Sequence, residues 1–365
     1  MSKEFIMQMR PLFGQEEKKA LADYMEEDGF LTEFKRTEIF ESMIARFTSS
    51  KHCIVVNNGT ISLTLSALSL GLKANDEIII PNFTMVATPN SIQMFGAKPI
   101  FVDVERETLC LDLEKAKKVL TNKTRAIILV SANGRYPKYG IDTLLKFADE
   151  NNLFVIEDAA QSLGSYYPDG RHIGTAGDIG SFSFSAPKII STGQGGAIVT
   201  NSDKLSKKIR KLKDFGRTSG GNDIHDEIGY NFKFTELQAC IGIEQMKKLP
   251  KRMERKKEIW KIYKEQLKTL KQLKLFDHNL KHTTPWFIDS LVENREELIQ
   301  YLKLKNIGTR VMYPPLNRQK AYNIDLDSPV CYEVDHKGLW LPSSVQLTDD
   351  EIFYICNTIK AFYKK

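Results

Sequence analysis

Lys188 lies in the segment Gly180-Ser181-Phe182-Ser183-Phe184-Ser185-Ala186-Pro187-Lys188, and a Gly193-Gln194-Gly195-Gly196 turn follows it. Upstream, the apolar run Leu153-Phe154-Val155-Ile156 ends in Glu157-Asp158-Ala159-Ala160-Gln161. A lysine among hydroxyls and small residues, with an acid at the end of an earlier strand, supplies the parts that pyridoxal phosphate chemistry requires. The amine forms a Schiff base with the cofactor aldehyde, and the carboxylate pairs with the pyridinium nitrogen. Small residues let backbone donors approach the phosphate. A lone lysine is ordinarily a surface charge; crowding by Ser181, Ser183, Ser185, Ser191 and Thr192 sets this one apart. Beside a Schiff base it can also move the proton between substrate carbon and cofactor carbon.

Two more polar clusters sit at strand ends. Asn57-Asn58-Gly59-Thr60 follows an apolar run and opens a helix near Ile61. A helix N-terminus presents free N–H groups and a favourable dipole, so Gly59 and Thr60 are candidates to cradle a phosphate. An ordinary N-cap has the same appearance. Asp158 alone also reads as a helix cap or loop anchor, and Gln161, three residues on, as a contact to the ring hydroxyl. No GxGxxG follows the first strand, GxxxxGK[ST] is absent, and the six histidines form no metal-ligand spacing, so no metal site is expected.

The elements that must position these residues alternate from about residue 50 to 200. Cys53–Val56, Glu77–Ile80, Pro99–Val102, Ala126–Val130 and Leu153–Ile156 read as buried strands, with helices over Ser62–Leu70, Leu113–Leu120 and Asp142–Glu150. This alternation predicts an α/β fold with a mostly parallel sheet covered by helices. Ser181–Phe184 and Ala197–Thr200 flank Lys188 closely enough for part of the sheet to be mixed. A Gly-rich polar loop, Gly216–Gly229, reads equally as a site cover or a solvent loop. Residues 1–248 are expected to form an N-terminal segment and a large cofactor-binding domain, and residues 249–365 a smaller α+β domain.

Composition bounds the partners. The 365 residues carry 52 Lys+Arg against 46 Asp+Glu, a net charge of +6 spread along the chain, which points away from nucleic acid. The most basic stretch, from Lys247 to Lys274, interleaves Met253, Ile259, Trp260, Ile262, Tyr263 and Leu267 at helical spacing and reads as a solvated amphipathic helix. Five scattered cysteines suit a reducing cytoplasm. Neither a signal peptide nor a membrane span is expected from the hydropathy pattern.

Taken in order, the motifs resemble the DegT/DnrJ/EryC1/StrS family of nucleotide-sugar aminotransferases, and the resemblance spans nearly the whole chain. It is carried by Asn58-Gly59-Thr60, Asn75-Asp76-Glu77-Ile78-Ile79-Ile80-Pro81 with Phe83-Thr84, and Glu157-Asp158-Ala159-Ala160-Gln161. Gly177–Phe184, Gly229-Tyr230-Asn231-Phe232 through Gln238-Ala239, Tyr313-Pro314-Pro315-Leu316 and Leu341-Pro342-Ser343-Ser344 extend it. The resemblance implies an aspartate-aminotransferase-like fold and pyridoxal 5'-phosphate as cofactor. It assigns Lys188 to the Schiff base, Asp158 to the pyridine nitrogen, Gln161 to the ring oxygen, and Ser183, Gly59 and Thr60 to the phosphate. Asn231 would reach the cofactor phosphate of a second subunit, so a homodimer with shared sites is implied. Family members that remove a sugar 3-hydroxyl carry histidine where this chain has Lys188, which favours transamination here.

Three departures stand out. Met85 occupies a place where many members stack an aromatic ring, a role a thioether can also fill. Ser131-Ala132-Asn133-Gly134-Arg135 replaces the commoner His-Leu-Tyr-Gly, and Asn317 replaces a usual histidine. In the family these two regions are near the substrate. The activity implied is transfer of the glutamate amine, leaving 2-oxoglutarate, to a GDP- or UDP-linked 4-keto-6-deoxyhexose. The product would be a perosamine- or viosamine-like sugar nucleotide for surface glycans. A 3-aminotransferase, a 3-dehydratase and a non-catalytic cofactor-binding protein are the alternatives. Arg135, Arg217, Arg310 and Tyr313 are the candidate diphosphate or sugar contacts.

Overall fold

The computed structural model describes residues 4–27, 29–218 and 223–364. The Gly216–Gly229 loop is therefore described except for residues 219–222, and Met1 to Lys3 lie outside the described residues. Seven strands form the main sheet: β1 (His52–Val56), β2 (Glu77–Pro81), β3 (Lys98–Val102), β4 (Thr124–Val130), β5 (Phe154–Asp158), β6 (Ile179–Ser183) and β7 (Gly196–Thr200). Their order is β1-β7-β6-β5-β4-β2-β3. Only β7 runs against its neighbours, pairing antiparallel with both β1 and β6, so the sheet is mixed as expected. Because β1 is antiparallel to β7, it runs with β5 and β6, and their carboxyl ends share one edge of the sheet.

The apolar runs are continuous because both faces of the sheet are covered. Cys53, Val55, Ile127 and Leu129 join one core with Phe40 and Ile44 of α2 (Lys35–Thr48) and Phe147 of α6 (Ile141–Glu150). The alternate residues of the same strands turn to the opposite face. There Ile78, Ile80, Ala126 and Ile128 pack with Leu63 and Ala67 of α3 (Gly59–Ser69), and Ile54 and Val56 with Ile61 and Leu65. The period of two thus operates inside runs with no polar partner to reveal it.

A second, antiparallel sheet has the order β10-β11-β9-β8, from β8 (Leu273–Leu275), β9 (Ile288–Val292), β10 (Arg310–Val311) and β11 (Gly338–Leu341). Its core takes Leu298 and Leu302 from α9 (Arg295–Leu304) and Ile352, Ile355 and Ile359 from α11 (Asp349–Tyr363). Ile6 bridges to Ile307 and shares that core, so the start of the chain packs on this second unit. The helix α8 (Glu236–Leu267) runs through residues 248 and 249 without interruption and contributes to both cores.

That helix corrects one expectation. The basic stretch is not solvated throughout: Arg252 and Lys256 are buried on α8. Arg252 donates to the carbonyls of Ile189 and Leu12 and to Gln245, which is what permits a guanidinium indoors. Among the described residues no helix is long and apolar enough to cross a membrane.

Candidate active site

Strand ends build the site. Asp158 is the last residue of β5 and Ser183 of β6; Gly59 opens α3 just after β1, all at the shared carboxyl edge. Such an edge is where open α/β sheets bind ligands, because the loops there diverge. A cavity of about 380 Å³ is lined by Gly59, Thr60, Met85, Asp158, Gln161, Ser183 and Lys188. Seven of the twelve candidate residues thus meet in one place.

The loop between β1 and α3 depends on close approach. Asn58 caps α3 by accepting the N–H of Ile61 at 2.9 Å. The N–H groups of Gly59 and Thr60, in the first turn, have no acceptor within the helix and suit an anion. A Cβ on Gly59 would lie 2.8 Å from Ser183 Cβ, and one on Gly196 would lie 2.5 Å from the Asn58 carbonyl oxygen. Only glycine at both positions lets β6, β7 and the helix start converge.

Asp158 is buried, accepting from Thr88 Oγ1 at 2.7 Å and from the Ala160 N–H at 3.2 Å. Burial raises its carboxyl above the ordinary range, and these two donors oppose the shift. Glu157 beside it faces the other way: it accepts from Tyr167 and from the Gly174, Ala176 and Gly177 N–H groups, so it braces the following loop. Gln161 Oε1 accepts the Asn133 N–H at 2.6 Å, which commits the amide oxygen and leaves Nε2 as the available donor. Met85, exposed at the cavity, has its sulfur anchored by the Ala87 N–H at 3.1 Å.

Lys188 is half-buried, and among the described residues its ammonium has no hydrogen-bonding partner within the chain. Burial lowers it to about 8; Asp158 pulls it back up and Arg310 pushes it further down. A substantial neutral fraction near pH 8 makes the amine a competent nucleophile and proton acceptor. Arg310 on β10 lies with its guanidinium 5.4 Å from the Trp340 ring and 6.0 Å from that of Tyr313. Burial, the nearby Asp158 and the opposing Arg310 leave the Tyr313 phenol raised to about 12.

The remaining candidates lie elsewhere. Arg135 is buried and spends its donors inside: Nη2 on Asp289 Oδ2 at 2.7 Å, Nη1 on Oδ1 at 3.2 Å, and Nε on the Thr108 carbonyl at 2.9 Å. Arg217 pairs with Asp214 and Asp223 in the loop after α7 (Asp203–Lys213). Asn231 is exposed and bridges to Asp214; it does not line the cavity of its own chain. Asn317 is buried. It donates to the Ile324 carbonyl and Tyr332, and its Oδ1 and N–H clamp Asn82. Asn133 in the 131–135 segment is likewise a brace, left-handed at φ 55° and bonded through its side chain to both backbone groups of Phe287.

Sequence reasoning missed Thr88 and Gln194, which line the same cavity as Ser185. Thr88 had a signal: it follows the Phe83-Thr84 motif by one helical turn, where α4 (Ala87–Gln93) begins.

The residues suit the group they would hold: a free amine, a buried acid and helix N–H groups without helical acceptors border one cavity, and the start of α3 packs against Ser183 only because Gly59 has no side chain. Fold and site are those of an aminotransferase that works with pyridoxal 5'-phosphate. The chain belongs to the DegT/DnrJ/EryC1/StrS aminotransferase family, whose model matches residues 11–360. It is 36% identical over 328 residues to a GDP-perosamine synthase of Escherichia coli O157:H7, covering 89% of each chain. To the GDP-perosamine synthase of Vibrio cholerae it is 32% identical over 355 residues, covering 95% of this chain and 96% of that one. Among solved structures, the aminotransferase TlmJ from Streptoalloteichus hindustanus superposes with a TM-score of 0.92 at 26% identity, covering 98% of this chain and 99% of that one. S. venezuelae DesV, in complex with a ketimine intermediate, gives 0.90 at 26%, with the same coverage of each chain.

Proposed function

We propose that this enzyme transfers the amine of glutamate to a nucleotide-linked 4-keto-6-deoxyhexose, on GDP or UDP, to give a 4-amino-4,6-dideoxy sugar nucleotide for surface glycan synthesis. The observation that carries this reading is similarity over nearly nine-tenths of the chain, or more, to two proteins named GDP-perosamine synthase.

When bound, pyridoxal phosphate supplies an electron sink for the carbon that exchanges its amine. In this reading Asp158, kept in place by Thr88 and the Ala160 N–H, holds a proton on the ring nitrogen. Gln161 Nε2 would donate to the ring oxygen, Met85 would cover a ring face, and Gly59, Thr60 and Ser183 would hold the phosphate; all five line the cavity. Lys188 Nζ is the acid and base that moves a proton at the substrate carbon. Its partial neutrality near pH 8 lets it both take and return that proton. Arg310 and Tyr313 are proposed to meet the sugar or its diphosphate, since the Arg310 charge bears on Lys188 and its guanidinium lies 6.0 Å from the Tyr313 ring. Arg135 and Arg217 would have to give up existing ion pairs to do so.

A homodimer is proposed as the working unit, with Asn231 reaching the partner's phosphate. Exposed apolar side chains support association: Phe30 is 68% and Ile228 83% accessible, and Leu31, Phe34 and Ile224 are also exposed. The chain is divided functionally into residues 1–248, which hold the cofactor, and 249–365, which close over the substrate.

The direct test is incubation with glutamate and a panel of GDP-, UDP- and dTDP-4-keto-6-deoxyhexoses, with products read by mass spectrometry. Amination of a GDP- or UDP-linked sugar is expected, and amination of none would overturn the substrate assignment.

A further inference from the structure

Lys188 borders a second, narrower space as well as the cavity, and Trp286 with Thr284 and Pro285 forms its wall. The Lys188 ammonium lies 4.3 Å from the centroid of the Trp286 ring. A cation over an indole face is attracted by the ring quadrupole, more strongly where water is excluded. Trp286 is 3% accessible.

The ring is held from several sides. Its indole N–H donates to the Pro187 carbonyl at 2.8 Å, immediately before Lys188 in the chain. It stacks on Phe287 at 3.7 Å with an 18° tilt, and the Trp340 ring meets it edgewise at 6.0 Å. Its carbonyl accepts from Lys256 Nζ, which also bonds the Ser343 carbonyl. Lys256 is 1% accessible, and among the described residues no carboxylate pairs with it. A buried lysine spent on two carbonyls is costly to keep and serves no step derived above.

We infer that Trp286 is a positioning residue for the reactive amine: its face is where the Lys188 ammonium rests when that amine is not covalently engaged, and Lys256 fixes the ring through its carbonyl. This rests on the reading of Lys188 as the reactive lysine. The charged groups acting on Lys188 are Asp158, which favours the ammonium, and Arg310, which opposes it, with Lys256 behind the ring. A π face holds the charge in register without a carboxylate that would tie the amine down. Lys188 thus holds its proton at the border of the cavity shared with Asp158 without an ion pair to break.

The test uses full-length enzyme saturated with pyridoxamine phosphate, which leaves Lys188 free. Acylation of Lys188 by acetic anhydride is followed across pH by peptide mass spectrometry. In Trp286→Leu the labelling midpoint is expected to fall, raising the neutral fraction at pH 7 about threefold or more. Trp286→Phe keeps a weaker face and is expected to shift less in the same direction. A folded Trp286→Leu with the wild-type midpoint overturns the inference. Should that variant not fold, an unshifted midpoint in Trp286→Phe does the same. A variant that lowers only the melting temperature marks Trp286 as structural and also overturns it. Borohydride trapping of pyridoxal phosphate on Lys188 in the wild type tests the underlying reading separately.

Discussion

Two lysines flank Trp286, one half-buried and one sealed, and they differ in what burial is used for. Desolvation lowers Lys188 to about 8 and Lys256 to about 7, so by acidity alone Lys256 is the more perturbed. Lys188 opens onto a cavity of about 380 Å³ shared with Asp158. Lys256 is sealed, with two backbone carbonyls as its partners. A shifted amine becomes reactive only where a ligand can reach it and an acid faces the same space. The other amine, equally unusual, braces the wall of the first.

The comparison breaks first at Asp158. Asp158→Asn removes the acid while keeping the shape, and kcat/KM for amination is expected to fall about 100-fold or more. A rate near wild type would mean that the carboxylate only anchors Thr88 and the Ala160 N–H.

Lys256→Met sharpens the other side. The folded-state midpoint of Lys256, about 7, lies below the ordinary 10.5, so between those values the unfolded chain binds the extra proton. Stability from this residue therefore rises with pH above 7, by at most about 1.4 kcal/mol per pH unit. Urea unfolding at several pH values should show a shallower rise in the variant. Equal slopes would show that Lys256 does not hold a perturbed amine.

The smallest effect is expected at Arg310. Its guanidinium disfavours the Lys188 ammonium, so Arg310→Ala should raise the Lys188 labelling midpoint, by less than the other variants change their readouts because an exposed charge is screened. A fall instead would reverse the assigned sign of the interaction.

That Asp158, Gly59 and Lys188 meet at one cavity was legible in the sequence because each sits at the end of a local element. Asp158 closes an apolar run, Gly59 opens a helix, and Lys188 follows a serine-rich strand. The substrate side was not legible, since its meaning lies in pairings between distant residues. Arg135 read as a candidate diphosphate or sugar contact, yet Asp289 pairs with it across 154 residues of sequence. Asn317 clamps Asn82, 235 residues away in sequence. Lys256 hid within a run of solvated lysines because helical periodicity marks a face without showing which long side chain bends inward. Trp286 carried no local signal, as its partners Pro187, Lys256 and Asn133 come from three separate segments.

The central claim is that Lys188, and not the more strongly shifted Lys256, is the amine that engages the cofactor. Borohydride reduction of the enzyme with pyridoxal phosphate, followed by peptide mapping, tests it in one step. A pyridoxyl adduct on the peptide containing Lys188 is the predicted result. An adduct on Lys256, or none on Lys188, would contradict the account.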